Sequence, residues 1–141
     1  MKNLCTLLLT LVLGLALALP ADAATLTLQT STFTGINYTS TAASTGDKFT
    51  NDGNTILLFV NGNASARTLT IAANSTTQPG FGAITISSTV VTLPGSGTNG
   101  GIAMVGPFPT GRFNDSNGQV NYTLDNATGM VVSAVKFPNP L

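Results

Sequence analysis

From residue 24 onward, short apolar runs recur about every ten residues, each closed by Asn, Gly, Pro or Ser. None of them continues at a helical period of 3.6 residues. A chain punctuated this way builds sheets from short strands. Composition points the same way, because residues 24–141 hold 21 threonines, which are β-branched and favour strands. Asn, Gly and Ser supply the turns between them.

The runs are placed as follows. Residues 24–32 alternate, with Leu26 and Leu28 on one face and Thr25 and Thr27 on the other. Residues 36–40 continue that strand or pair with it, and residues 39–46 form a small-residue loop. Residues 55–61 (TILLFVN) form an unbroken apolar run between Asn-Asp-Gly and Asn-Gly, which predicts a central strand buried on both faces, with Leu58 or Phe59 fully covered. Residues 67–73 (RTLTIAA) follow after a short loop, and the pair reads as a hairpin. Residues 74–82 form a wide turn, and residues 83–93 one long strand with an irregularity at Ser87-Ser88. A loop with four glycines leads to a strand at residues 102–105. Residues 107–111 hold two prolines, Pro107 and Pro109, so they cannot join a ladder and should cross the end of a sheet. Residues 119–124 and 130–137 close the chain as a second hairpin. About seven or eight short antiparallel strands with Gly and Pro turns predict a single all-β sandwich or jelly-roll-like domain over residues 24–141.

Residues 1–23 have a different character. Lys2 supplies a positive start, Leu4 to Leu19 is an apolar stretch, and Ala21-Asp22-Ala23 is a small-residue cleavage site. The apolar stretch is shorter than the roughly 20 residues needed to span a bilayer. These features predict a cleavable signal peptide, cut between Ala23 and Ala24, and a secreted product. Cys5, the one cysteine, falls inside that leader. The domain would thus have no disulfide although it is exported, and packing alone must stabilise it.

The chain has five Lys and Arg, five Asp and Glu, and no His or Trp. Residues 24–141 keep Lys48, Arg67, Arg112 and Lys136 against Asp47, Asp52, Asp115 and Asp125. Thiol chemistry, imidazole catalysis, Cys/His zinc sites and a basic nucleic-acid surface are thereby excluded for that stretch. General acid-base catalysis would need two of the four aspartates, spaced as the paired carboxylates of a glycosidase are. A serine nucleophile would lack a histidine base. The expectation is a protein that is not an enzyme and carries no cofactor.

Calcium is the weak candidate. Asp52-Gly53-Asn54 and Asp115-Ser116-Asn117-Gly118 offer oxygen ligands at alternate positions, so Asp52, Asp115 and Asn117 are the residues to watch. The competing reading is a pair of Asx turns, in which the short side chain bonds its own backbone two residues on. The two segments also echo each other. Lys48-Phe49-Thr50-Asn51-Asp52-Gly53 and Arg112-Phe113-Asn114-Asp115-Ser116-Asn117-Gly118 each run from a cation through Phe to Asn-Asp and Gly. Each Phe would plug an end of the sandwich, and in a functional reading the cation of one loop pairs with the Asp of the other.

The series Phe49 to Thr55, then Phe59-Val60-Asn61-Gly62, then Val105-Gly106-Pro107-Phe108-Pro109, then Arg112 to Tyr122, resembles small structural proteins of tailed-bacteriophage virions, of the head-decoration or capsid-associated type. The resemblance extends over roughly residues 46–137 and is best over residues 106–122. It implies a non-enzymatic β-domain that binds a lattice or copies of itself. The motif residues it rests on (Phe49, Asn51, Asp52, Gly53, Gly106, Pro107, Phe108, Phe113, Asn114, Asp115, Gly118) are turn and core residues.

Combined with the leader, the resemblance gives a secreted, self-associating structural protein that forms or decorates an extracellular assembly. A capsid-decoration protein with a misread or decayed leader is the alternative, with the virion as its location. A carbohydrate-binding or adhesin module ranks lower, since only Tyr38 and Tyr122 are available to stack on sugars beside the phenylalanines. Six Asn-x-Ser/Thr triplets start at Asn37, Asn63, Asn74, Asn114, Asn121 and Asn126. Of these, Asn63 and Asn74 lie in the best loops for glycosylation, and Asn121 falls within a strand.

Overall fold

The computed structural model describes residues 23–74, 76–78 and 82–138. Of the leader, only Ala23 belongs to the described residues. In chain order these residues form β1 (Leu28–Thr30), β2 (Thr41–Ala42), β3 (Lys48–Thr50), β4 (Thr55–Asn61), β5 (Arg67–Ile71), β6 (Thr76–Gln78), β7 (Gly82–Ile84), β8 (Thr89–Leu93), β9 (Ile102–Val105), a helical turn α1 (Thr110–Phe113), β10 (Gln119–Leu124) and β11 (Met130–Lys136). Nine of the strands make two sheets that face each other, which is the all-β sandwich the spacing predicts.

The first sheet runs β1-β11-β4-β9, with β2 sharing the β1 side of β11; the second runs β3-β10-β5-β8. β4 and β11 are its backbone, paired antiparallel from Met130–Asn61 to Lys136–Thr55. Between the sheets, Phe59 of β4 meets Tyr122 of β10 edge-on, ring centres 5.5 Å apart. Leu57 and Val132 on one side and Leu69, Ile71, Leu93 and Val120 on the other complete the dry layer. Each such buried side chain contributes about 1.5–3 kcal/mol.

Several expectations are corrected. β4 and β5 are not a hairpin, and neither are β10 and β11: each pair divides between the two sheets, so both connections are arches. The physical reason lies in which faces are apolar. β4 buries only alternate residues, Thr55, Leu57, Phe59 and Asn61, so its inner face needs a partner across the core rather than beside it. By the same count β4 is not buried on both faces. Phe59 is wholly covered, while Leu58 points outward and is half-buried.

The long strand expected over residues 83–93 is broken at residues 85–88, and its first part, β7, pairs instead with β6 in a small separate ribbon. Residues 74–82 therefore contain a strand rather than only a turn. β2 likewise interrupts the loop expected over residues 39–46. These breaks raise the count from the expected seven or eight strands to eleven among the described residues. Nor is the pairing wholly antiparallel, since β1 runs parallel to β11.

The N-terminal segment spans both layers. Residues 24–26 lie beside β3, with Lys48 N donating to Ala24 O and Leu26 N to Lys48 O. Two residues later, from Leu28, β1 is in the first sheet, beside Ala134–Lys136. One flank of the sandwich is thus sewn shut by the chain's own start. The other flank, formed by edge strands β8 and β9, has no further strand paired to it among the described residues.

Candidate functional site

The two echoing segments meet at one end of the sandwich. Phe108 stands between them, its ring centre 5.2 Å from Phe49 and 5.8 Å from Phe113, both in edge-on contact. Such pairs add about 0.5–1.5 kcal/mol beyond their area burial. The two Phe residues therefore plug the same end, not one each. Beside them Asn51 and Asn114 bond reciprocally: Asn51 Nδ2 donates to Asn114 Oδ1 (2.6 Å) and Asn114 Nδ2 to Asn51 O (2.9 Å). Asn51 Nδ2 also reaches Phe108 O at 2.9 Å.

Gly106 lets the chain fold onto this cluster. Its φ is +119°, and a Cβ there would fall 2.9 Å from the Phe108 ring and 3.0 Å from Thr55 O, so no side chain fits. Pro107 follows through a cis bond and turns the chain toward α1.

The Asp-Gly segments make the turns. Asp52 Oδ1 accepts from Asn54 N at 3.1 Å, and Asp115 Oδ1 accepts from Asn117 N at 2.8 Å and Gln119 N at 3.0 Å, with Gly53 and Gly118 completing the bends. The expected cross-pairing of cations and acids forms no contact ion pair among the described residues, although the Lys48 charge helps to lower the Asp115 carboxyl. Asp52 pairs with Lys136 of β11, while Arg112 donates to Ser87 O and Thr89 Oγ1 and lies over the Phe113 ring. Among the described residues no group of three acidic, His or Cys side chains is placed to hold a metal ion.

The other two aspartates are also engaged. Asp125 Oδ1 accepts from Thr68 N and Asn126 N. Asp47 is buried, at 1 % exposure, and bonds Ser44, Tyr122 and Ala24. Asp47 went unremarked in the sequence, yet a signal existed. It stands at the same strand parity as Phe49 and Asn51, two and four residues on, and all three face inward. Of two clefts beside β11, one is lined by Leu26, Thr27, Gln29, Thr39, Thr41 and Val132 to Ala134, and the other by Ala42 to Thr45 with Asn126 to Val131. Neither lining includes an ionisable side chain.

Lys136 holds the Asp52 carboxyl below the usual carboxylate range, and the Gln119 amide does the same for Asp115. A carboxyl with a depressed folded-state value contributes stability that is complete above its ordinary value, about 3.9, and is lost as pH falls toward the lower one. We expect the stability that these two carboxyls contribute to be lost below about pH 4. Asp115→Asn should flatten that acid limb in a urea titration repeated across pH.

The surface feature that stands out is the outer face of the first sheet. Ile56, Leu58 and Val60 of β4 point outward there. Across β9 they meet Met104 (against Leu58) and Ile102 (against Val60); across β11 they meet Val135 (against Ile56) and Val131 (against Val60). Met104 is 72 % exposed and Ile102 49 %. No charged side chain interrupts these rows, since Lys136 at the end of β11 pairs with inward-facing Thr55. On β11 the row is broken by Ser133, buried under Thr39 and Ser40, and Val135 is buried too. Beyond β11 the same face carries the loop of residues 30–38, closed at its neck by Gln29 through two 2.7 Å bonds to the Thr39 backbone. Its turn holds Phe33 at 90 % exposure. Sequence reading missed this face, because an unbroken apolar run looks the same whether its second face is covered by the domain or left for something else.

The chain matches no protein-family model, no curated protein and no solved structure.

The Asn-x-Ser/Thr triplets are also sorted. Asn63 Nδ2 bonds Thr128 O and Asn61 Oδ1, Asn114 Nδ2 bonds Asn51 O, and Asn74 Nδ2 is buried. A glycan on any of these would displace packed structure, so Asn63 and Asn74 are poor acceptors despite their loops. Asn37, exposed on the loop that carries Phe33, is free of that conflict.

Proposed function

We propose that this chain is an exported, non-enzymatic structural protein that assembles through the outer face of its first sheet, against copies of itself or a lattice it coats. The observation that carries the reading is the set of six apolar side chains left wholly or partly uncovered on that face (Ile56, Leu58, Val60, Ile102, Met104 and Val131), next to the β9 edge. Soluble monomers rarely leave contiguous apolar surface uncovered, and such patches mark association sites. Neutral, threonine-rich surroundings place little charge repulsion between copies. Strand β9 has no Lys or Pro within it and no partner on its outer side among the described residues, so strand addition is open to it. The resemblance to virion decoration proteins agrees in kind, although the residues that carry it lie in the core and turns and speak for the fold. The aspartates, each committed to a structural contact, support a role without turnover.

Residues 24–34 hold no charge and no proline, as a donated strand would, but donation is the weaker route. That segment lies across its own domain, and exchange would have to break its contacts with β3 and β11 first.

Sedimentation of residues 24–141 over a concentration series tests the proposal. The wild-type protein should associate, and Met104→Glu, which alters an exposed side chain, should abolish association while leaving the melting temperature of the dilute protein unchanged. A wild-type protein that stays monomeric at its solubility limit, and binds no lattice, overturns it. Phe33→Ser should likewise leave stability within about 0.5 kcal/mol, as surface changes do, and weaken association if the loop joins the contact. Export has its own check: the intact mass of secreted material should correspond to a chain beginning at Ala24.

A further inference from the structure

Asp47 poses a problem that the assembled role does not answer. Its carboxylate is buried, and among the described residues the one ion pair is Lys136 with Asp52, so no Lys or Arg neutralises it. A buried charge served only by neutral donors is expensive. Its neighbours are Ser44, through N at 2.9 Å and the hydroxyl, and Tyr122, through the hydroxyl at 3.2 Å. The remaining donor is the backbone nitrogen of Ala24, 2.9 Å from Oδ1. That nitrogen belongs to the peptide bond at which the leader should be cut.

We propose that Asp47 is the receptor for the amino terminus released at Ala24, so that removal of the leader forms a salt bridge that fastens the N-terminal segment across the two sheets. The inference rests on the export reading. A signal peptidase hydrolyses the Ala23–Ala24 bond: water gives its hydroxyl to the Ala23 carbonyl carbon and a proton to the Ala24 nitrogen. The amine takes a second proton from solvent and becomes an α-ammonium. It arises in place, already within bonding distance of the carboxylate. Ala24 is exposed on its other side, so the new cation keeps part of its hydration while the buried anion gains a counter-charge. A neutral hydrogen bond becomes a charge-assisted one, which is roughly twice as strong.

The position is held by more than this contact. Ala24 O accepts from Lys48 N at 3.0 Å, which fixes the residue that carries the amine. Fastening Ala24 fastens Leu26, which is buried in the core, and the crossing to β1. The ionisable groups that face the site are Asp47 itself and the Tyr122 hydroxyl; Lys48, the next residue, lies along the same strand. Tyr122 is pushed far above its ordinary range by burial first and by Asp47 second, so it stays a proton donor throughout the range tested.

The experiment compares three forms of residues 24–141: a free Ala24 amine, an acetylated Ala24, and a chain extended by Ala23. At pH 7 the free amine should raise the folding equilibrium constant about tenfold over the acetylated form, the margin between a charged and a neutral hydrogen bond. The extended chain, whose ammonium sits one residue away, should behave like the acetylated one. An ordinary α-amino group titrates near 7.7–8.0. Gaining a partner raises that value in the folded state, so the advantage should be complete below pH 8 and disappear as pH rises through the folded-state value. In Asp47→Asn the free and acetylated forms should be equally stable. Should that variant fail to fold, NMR titration of the 15N-labelled Ala24 amine in the wild-type protein decides instead, with a value above the ordinary range expected. Equal stability of the free and acetylated forms at pH 7, or an unshifted amine, overturns the proposal. These purified chains need no export, so their failure is distinct from finding the leader retained on secreted protein.

Discussion

Phe59→Ala should remove about 3–5 kcal/mol of folding stability, the usual cost of emptying an aromatic site in a closed core. Phe59 is fully buried, and its ring meets Tyr122 of the opposite sheet edge-on, so the deletion opens a cavity where the two layers touch. Domains are held by about 5–15 kcal/mol in all, so the variant should be at the margin of folding. Leu58→Ala, one residue along, supplies the contrast. Its side chain lies on the outer face, and its loss should cost the dilute protein much less while weakening association. Urea denaturation of both variants reads the difference. If the two melt alike, the assignment of inner and outer faces on β4 is wrong.

Asn61→Ala should be nearly as severe, at about 3 kcal/mol, because it strands buried polar groups rather than removing a contact between exposed ones. Asn61 is fully buried, and its amide connects two separate stretches of chain. Nδ2 donates to Ser65 O at 2.9 Å and Pro94 O at 3.0 Å, while Oδ1 accepts from Asn63 N at 3.0 Å and from Asn63 Nδ2 at 2.9 Å. It therefore shapes the arch from β4 to β5 and ties it to the connection from β8 to β9. Asn61→Asp, almost the same shape, loses both donor bonds and buries a charge, so it should do no better. Thermal melts in which Asp restores wild-type stability would show that the site needs only the shape of the residue.

Part of the candidate site was legible in the sequence. The apolar run at residues 55–61 marked a strand that matters, and the two Phe-Asn-Asp-Gly segments marked residues that gather at one end. What local pattern did not reveal is that Phe108 joins them, that Asp52 turns to Lys136, or that Asp47 waits beside Ala24. Each of these is a meeting between residues tens of positions apart, and nothing in a local window encodes the partner.

Taken alone, the sequence determined where some of the strands begin and end. β4, β9 and β10 occupy the spans expected, because alternation, β-branched residues and Asn-Gly punctuation act over a few residues. It also determined the all-β class and the turns at Asp52 and Asp115, where a side chain bonds its own backbone. Tertiary structure decided which strands are neighbours. An arch and a hairpin have the same short polar connection, and the choice between them depends on whether the inner faces of β4 and β5, or of β10 and β11, lose more apolar surface to water across a core than side by side. The outer face of the first sheet was decided the same way: Leu58 and Phe59 are adjacent and equally apolar in the chain, and only the second sheet, packing against one side of β4, buries one and leaves the other half-covered.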